Sequence, residues 1–185
     1  ALEKGADGLI AVCAGAGGHA GTLSPFALIQ EIREFFDGPL ALSGSIATGD
    51  AVLASQAMGA DYAYIGSAFI ATQEARASED YKRGIVEGRA EDIVYTSFFT
   101  GVHGNYLRGS IESAGLDPDR LDQSQGLSTD FSESNTSDAK AWKDIWGSGQ
   151  GIGAVKDVPE AAVYIDRLKA QYAAAKARLA GAPAA

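Results

Sequence analysis

The sequence predicts an α/β protein in which three successive strand–loop–helix units supply parallel strands and a C-terminal extension ends in a helix. Three observations predict it. An apolar run, a glycine-rich loop and a helical pattern recur three times between residues 8 and 89. The apolar runs are nearly continuous rather than alternating, as in parallel strands covered on both faces. Beyond residue 89 the repetition stops, and a helical period returns only near Val158. Short βα units in series build a barrel or a doubly wound sheet, and three strands close neither. A (β/α) barrel needs eight strands, so the others are expected from upstream sequence or from elsewhere.

The first unit has the strand Gly8–Cys13, the loop Gly15-Ala16-Gly17-Gly18-His19-Ala20-Gly21, and a helix opened by Ser24-Pro25. Serine suits the N-cap and proline the first turn. Leu28, Ile29, Ile32, Phe35 and Phe36 keep a helical period there. The second unit has the strand Pro39–Ser43, the loop Gly44–Gly49, and a helix from Asp50 to Met58 closed by Gly59. The third has the strand Tyr62–Ile65, the break Gly66-Ser67, and a helix capped by Ser78. These units form a first region, residues 1–89. The second, 90–185, is the extension: a mixed stretch to Tyr106, a polar segment over 117–139 read as a long loop, and the terminal helix. Asp157-Val158-Pro159-Glu160 resembles a capping box for that helix. Val158, Ala162, Ile165, Leu168, Tyr172 and Leu179 mark its apolar face. Leu2–Gly8 reads as a helix end running into a strand, so Ala1 is expected to be a cut point with sequence missing before it.

The 185 residues are 46% hydrophobic with a net charge of −9, which suits a globular protein and argues against a nucleic-acid partner. No apolar run approaches the ~18 residues that cross a bilayer, and no basic-then-apolar leader opens the chain. The single cysteine, Cys13, excludes an internal disulfide framework and leads us to expect a cytoplasmic protein. Two histidines and one cysteine without ligand spacing argue against a metal site.

Chemistry concentrates at the strand ends. Glycines there let backbone N–H groups approach phosphate oxygens, and following helix N-termini add partial positive charge. One such loop could simply be a tight turn; three in register favour a phosphate site, with the Ser45 and Ser67 hydroxyls as added donors. Gly15-x-Gly17-x-x-Ala20 also matches a dinucleotide fingerprint. Here, though, the helix is delayed to Ser24-Pro25, and Asp37 lies before the next strand rather than at its end. His19 lies in the first glycine loop, and imidazole is the side chain suited to move a proton near neutrality. Position alone leaves open whether it acts as a base or only bonds a phosphate or loop carbonyl. His103, between glycines, reads as a loop residue, and Cys13 as a strand residue. Trp142, Trp146, Phe98, Phe99 and Tyr106 could line a pocket over a planar cofactor or anchor the extension, the reading preferred for Trp142. Arg108 could neutralise an anionic substrate.

Ala16–Gly21, Ser43–Gly49 and Tyr64–Thr72, continued by Thr100-Gly101-Val102, Asn105–Arg108, Ala114–Pro118 and Trp146–Gly151, resemble the nitronate monooxygenases over nearly the whole chain. The resemblance implies a TIM (β/α)8 barrel holding flavin mononucleotide (FMN), with these strands as the sixth to eighth. Gly17, Gly18, Gly44, Ser45, Gly66 and Ser67 would hold the FMN phosphate, and His19 would be the catalytic base or substrate-positioning group. The implied reaction is oxidation of an alkyl nitronate or nitroalkane by dioxygen to a carbonyl compound and nitrite. Two departures stand out. The family often has two glycines at Gly44-Ser45, and Gly-Thr-Arg-Phe at Gly66-Ser67-Ala68-Phe69. The missing arginine removes a compensating charge for the substrate. One alternative, on the same scaffold, is an FMN-dependent NAD(P)H reductase of enoyl-acyl-carrier-protein or quinone type; another, of a different class, is a non-catalytic phosphate-binding module. The chain alone is expected to be incomplete without the N-terminal barrel half, and oligomers remain possible.

Overall fold

The computed structural model describes residues 1–121 and 144–181. In chain order the elements are β1 (Leu9–Val12), β2 (Gly18–His19), α1 (Pro25–Arg33), β3 (Leu40–Ser43), α2 (Gly49–Ala57), β4 (Tyr62–Tyr64) and α3 (Ser67–Ile70). They continue with α4 (Glu79–Glu87), β5 (Ile93–Thr96), β6 (Gly104–Leu107), α5 (Arg108–Ser113) and α6 (Ala161–Leu179). Two sheets organise them. β1, β3 and β4 form a parallel sheet in that order, with Leu9 opposite Leu40 and Ala41 opposite Tyr62. β2, β6 and β5 form an antiparallel one.

The three βα units follow local chemistry. The Ser24 hydroxyl accepts from Phe26 N at 3.3 Å, and Pro25 fills the first turn of α1. The Thr48 hydroxyl caps α2 through Ala51 N, and the Ser78 hydroxyl caps α4 through Tyr81 N, as expected for Ser78. Ile29 and Ile32 of α1 pack on Ala11, Cys13, Leu40 and Leu42 of the parallel sheet. Arg33 then locks the end of α1, donating to the carbonyls of Gly59, Phe36 and Gly38 and pairing with Asp61 at 2.9 Å. Asp61 also accepts from Leu40 N. That N–H first, and the guanidinium second, hold its carboxyl below the usual range.

Helices cover only one face of this sheet, whereas continuous apolar strands predict burial on both. On the other face Ile10 and Tyr62 are 56% and 62% exposed, and Val12 and Tyr64 lie open beside them. No closed barrel forms among the described residues.

Three other expectations need correction. The mixed stretch after residue 89 contains the hairpin β5–β6, which pairs with β2 inside the first glycine loop. No capping box opens α6. Glu160 is its N-cap without a side-chain bond, Ala161 N is held by both Glu74 carboxylate oxygens, and Asp157 pairs with Arg167 through two 2.7 Å bonds. Of the face expected for α6, Leu168 packs on the core and Tyr172 reaches Gln56 of α2, but Ile165 and Leu179 are exposed, and the buried positions are Tyr164 and Ala175. Trp142 and most of the 117–139 loop lie outside the described residues.

Ala47, Ala68, Ala71 and Ile85 share one core with Ile93, Leu107, Ile152, Val155 and Tyr164, so residues on both sides of the 89/90 boundary pack together. The Tyr164 hydroxyl donates to Ala47 O at 2.9 Å. α6 lies so close to α2 that a Cβ on Gly49 would run into Leu168 O and Tyr172 N, both backbone atoms. No helix among the described residues is long and apolar enough to cross a membrane.

Gly49→Ala should therefore cost about 2 kcal/mol through overpacking, read as a lowered midpoint in urea unfolding. Asp61 supplies a second test. A carboxyl whose folded-state pKa is lowered contributes stability above its unfolded value and loses it as pH falls through the folded value. The advantage of the parent over Asp61→Asn should be full at neutral pH and vanish in strong acid, as followed by denaturation at several pH values.

Candidate functional site

Because β1, β3 and β4 are parallel neighbours, the loops at their carboxyl ends open on the same side. Gly17, Gly18, Gly44, Ser45, Gly66 and Ser67 all line one cavity of about 280 Å3 at that end. Part of its wall comes from Gly147, Gly149 and Gly151, far along the chain. Gln150 N donates to Gly15 O at 2.9 Å, and Gly149 N donates to the Ser67 hydroxyl at 2.9 Å. The Ser67 oxygen thus has an internal donor, and its own proton stays available. Asn105, 2% exposed, donates from its amide to Ala16 O at 2.7 Å and so joins the antiparallel sheet to the same loop.

Small residues are required here for steric reasons. A Cβ on Gly17 would lie 2.8 Å from Gly149 N, and one on Gly149 would lie 2.6 Å from Gly15 O. Ser45 is the chain's single non-glycine residue with positive φ among the described residues, at 55°, a left-handed conformation that costs an L-residue roughly 1–2 kcal/mol. Such strain is found where surrounding contacts over-determine the backbone. At the amino end of α2, Gly49 N goes to the Gln171 side chain and Ala51 N to the Thr48 hydroxyl.

A second cavity, of about 780 Å3, adjoins the first and shares Gly18, Ile70 and Gly147 with it. His19 lines it together with Arg76, Tyr81, Tyr106 and Trp146. β2 holds the His19 backbone opposite Gly104 of β6, and the imidazole Nε2 lies 3.1 Å from the Thr100 hydroxyl. Tyr81 stacks on Trp146 with centroids 4.9 Å apart, and its hydroxyl donates to Gly147 O. Burial pushes the Tyr81 phenol up to about 12, so it stays protonated and serves as a donor.

The other candidate residues lie elsewhere. Cys13 is fully buried under the sheet, and burial raises its thiol. His103 sits in the β5–β6 connection and stacks on Tyr95. Arg108 is engaged by Asp119 through two 2.9 Å bonds and lines neither of these two cavities. Phe98 and Phe99 pack with Tyr106, Ile111 and Ile145 in a separate core; of the aromatic set, Trp146 and Tyr106 reach the second cavity. Sequence reasoning missed the Gly147–Gly151 wall, although alternating glycines in Gly147-Ser148-Gly149-Gln150-Gly151 were its signal. It also missed Asn105, Arg76 and Thr100. No cluster of metal-ligating side chains occurs among the described residues.

Comparison with known proteins adds three findings. The sequence model of the nitronate monooxygenase family matches residues 1–168. A nitronate monooxygenase of Paraburkholderia phytofirmans is 29% identical over 123 residues, covering 62% of this chain and 34% of that protein. A probable nitronate monooxygenase of Staphylococcus aureus strain JH9 is 32% identical over 109 residues, covering 54% and 31%. The chain therefore spans about a third of the length of these curated relatives. Among solved structures, FabK of Thermotoga maritima superposes with a TM-score of 0.77 at 22% identity, over 97% of this chain and 59% of that one. A nitroalkane oxidase of Streptomyces ansochromogenes gives 0.72 at 29%, over 96% and 55%.

Ser45→Gly should release the left-handed strain and raise stability by roughly 0.5–1 kcal/mol, part of the gain being offset by the freer unfolded chain. Ser45→Val, which cannot adopt that conformation without strain, should lower it; thermal unfolding of the pair gives the sign.

Proposed function

The chain belongs to the nitronate monooxygenase family, and from that premise we propose that it is the FMN-binding and proton-handling part of an enzyme that oxidises alkyl nitronates with dioxygen to a carbonyl compound and nitrite. The observation that carries the reading is the adjacency of two cavities. One is walled by glycines and serines; the other carries His19, and they meet at Gly18, Ile70 and Gly147.

The first cavity suits a flavin phosphate. Gly17, Gly18 and Gly44 could not carry a Cβ without a clash or backbone strain, Gly66 leaves backbone bare beside them, and Ser45 and Ser67 bring hydroxyls to the wall. Bound there, FMN would supply the electron acceptor for the nitronate and the route by which dioxygen enters the chemistry. We read the parallel strands as the sixth, seventh and eighth of a (β/α)8 barrel. The strands completing it would cover the open face of Ile10, Val12, Tyr62 and Tyr64. That reading is supported by their parallel order and by the partial coverage of the solved neighbours.

His19 then has a defined task. With a neutral nitroalkane it takes the α-proton: the C–H bond breaks, its electron pair stays on the substrate as the nitronate, and an N–H bond forms on the imidazole. With a preformed nitronate that step is already complete, and His19 only positions the anion.

The test uses the full-length, flavin-loaded protein. Mixed anaerobically with propyl-2-nitronate, its flavin absorbance should bleach rapidly; with NADH it should not. Bleaching by NADH alone would replace this reading with a reductase, and a protein that takes up no FMN would remove the cofactor assignment. His19→Asn should lower turnover of neutral 2-nitropropane by roughly 10²–10⁴-fold, the range a positioned base supplies, and turnover of the nitronate by much less.

A further inference from the structure

The geometry points to Thr100 as a positioning residue that holds the proton of His19 on Nε2 and leaves Nδ1 as the nitrogen that accepts a substrate proton. A threonine hydroxyl has one proton to give and two lone pairs to accept with. Thr100 Oγ1 lies 2.8 Å from Val102 O. A carbonyl has no proton, so that contact is a hydrogen bond only if the hydroxyl donates it. The same oxygen accepts from Val102 N at 3.2 Å. With its single proton committed, it can meet the imidazole, 3.1 Å away, only as an acceptor. Nε2 therefore carries hydrogen, and in the neutral ring Nδ1 carries the lone pair.

Both partners ride on one sheet. His19 belongs to β2, opposite Gly104 of β6, and Thr100 stands in the connection from β5 to β6. Ala20 N donates to His103 O, and the Tyr95 hydroxyl donates to Ala20 O, so the residue after His19 is tied to the same hairpin. The tautomer is thus set by backbone pairing and the folded turn at 100–102. In the proton-transfer step, Nδ1 gains the substrate proton, the ring becomes imidazolium, and its Nε2–H still points at an oxygen lone pair. The accepting role of Nδ1 rests on the proposed function; the tautomer does not.

The experiment is nitrogen NMR on the full-length, flavin-loaded protein labelled with 15N-histidine, at a pH where the ring is neutral. The His19 signals are those lost in His19→Gln. We expect one ring nitrogen of protonated type, connected as Nε2, and one of lone-pair type, connected as Nδ1. Thr100→Val should convert this to a mixture of tautomers and lower kcat/KM for a neutral nitroalkane on the order of tenfold, with a smaller loss for the preformed nitronate. Thr100→Ser, which keeps the hydroxyl, should restore both readouts. A parent spectrum with the proton on Nδ1, or a Thr100→Val spectrum identical to the parent's, overturns the inference. Because the tautomer is read without turnover, a parent that holds Nε2–H yet leaves nitronates unoxidised overturns the proposed function alone.

Discussion

Where the segment Gly147–Gly151 crosses the loop Gly15–Gly18, backbone meets backbone with no side chain between them. The Cα of Gly18 lies 3.3 Å from where a Cβ on Gly147 would stand, and Ser45 carbonyl atoms crowd Gly151 in the same way. Glycine loses more conformational freedom on folding than any other residue, so this crossing needs compensating bonds. It has them: Gln150 N to Gly15 O, Gly149 N to the Ser67 hydroxyl, Ser148 N to Asn105 O, and the Asn105 amide to Ala16 O. The crossing joins the ends of the parallel strands to the antiparallel sheet. Without it the cavity would lose a wall.

Both halves of the candidate site inherit their order from that crossing. Gly147 belongs to each cavity, is bridged to Tyr106, and accepts from the Tyr81 hydroxyl. The Tyr81–Trp146 stack continues the wall on the His19 side. The strained Ser45 lies on the other side, against Gly151. Rigid small-residue geometry and a single hydroxyl in an unfavourable backbone region thus share one rim, a pattern common where a backbone is shaped for a ligand.

Much of this was legible in the residues. The order of the three βα units, the caps Ser24 and Ser78, and the convergence of six small residues on one rim follow from local pattern and from the rule that parallel neighbours end on the same side. What was not legible depends on partners distant in the chain. β2 is only Gly18 and His19, with no strand pattern of its own, and exists because Asn105 and Gly104 pair with it. Ala161 finds its acceptor in Glu74, on another loop, so the local motif at Asp157–Glu160 misleads. The face of α6 is set by distant partners, with Leu168 and Tyr172 closing on Gly49 and Tyr164 bonding Ala47 O, which leaves Ile165 outside. Arg108, read from sequence as free for an anion, is paired by Asp119 through its two terminal guanidinium nitrogens.

The amide of Asn105 reaches back 89 residues to the carbonyl of Ala16, and that span has a cost in time. At the pace of translation, roughly 5–20 residues per second, the glycine loop leaves the ribosome on the order of ten seconds before its partner exists. During that interval β1, β3 and β4 can pair and α1 can dock, since those contacts are short in sequence. The loop beside His19 cannot be shaped until the hairpin arrives. The nascent protein therefore acquires its scaffold first and its chemistry later, with His19 idle on an unpaired strand until Gly104 emerges to pair with it.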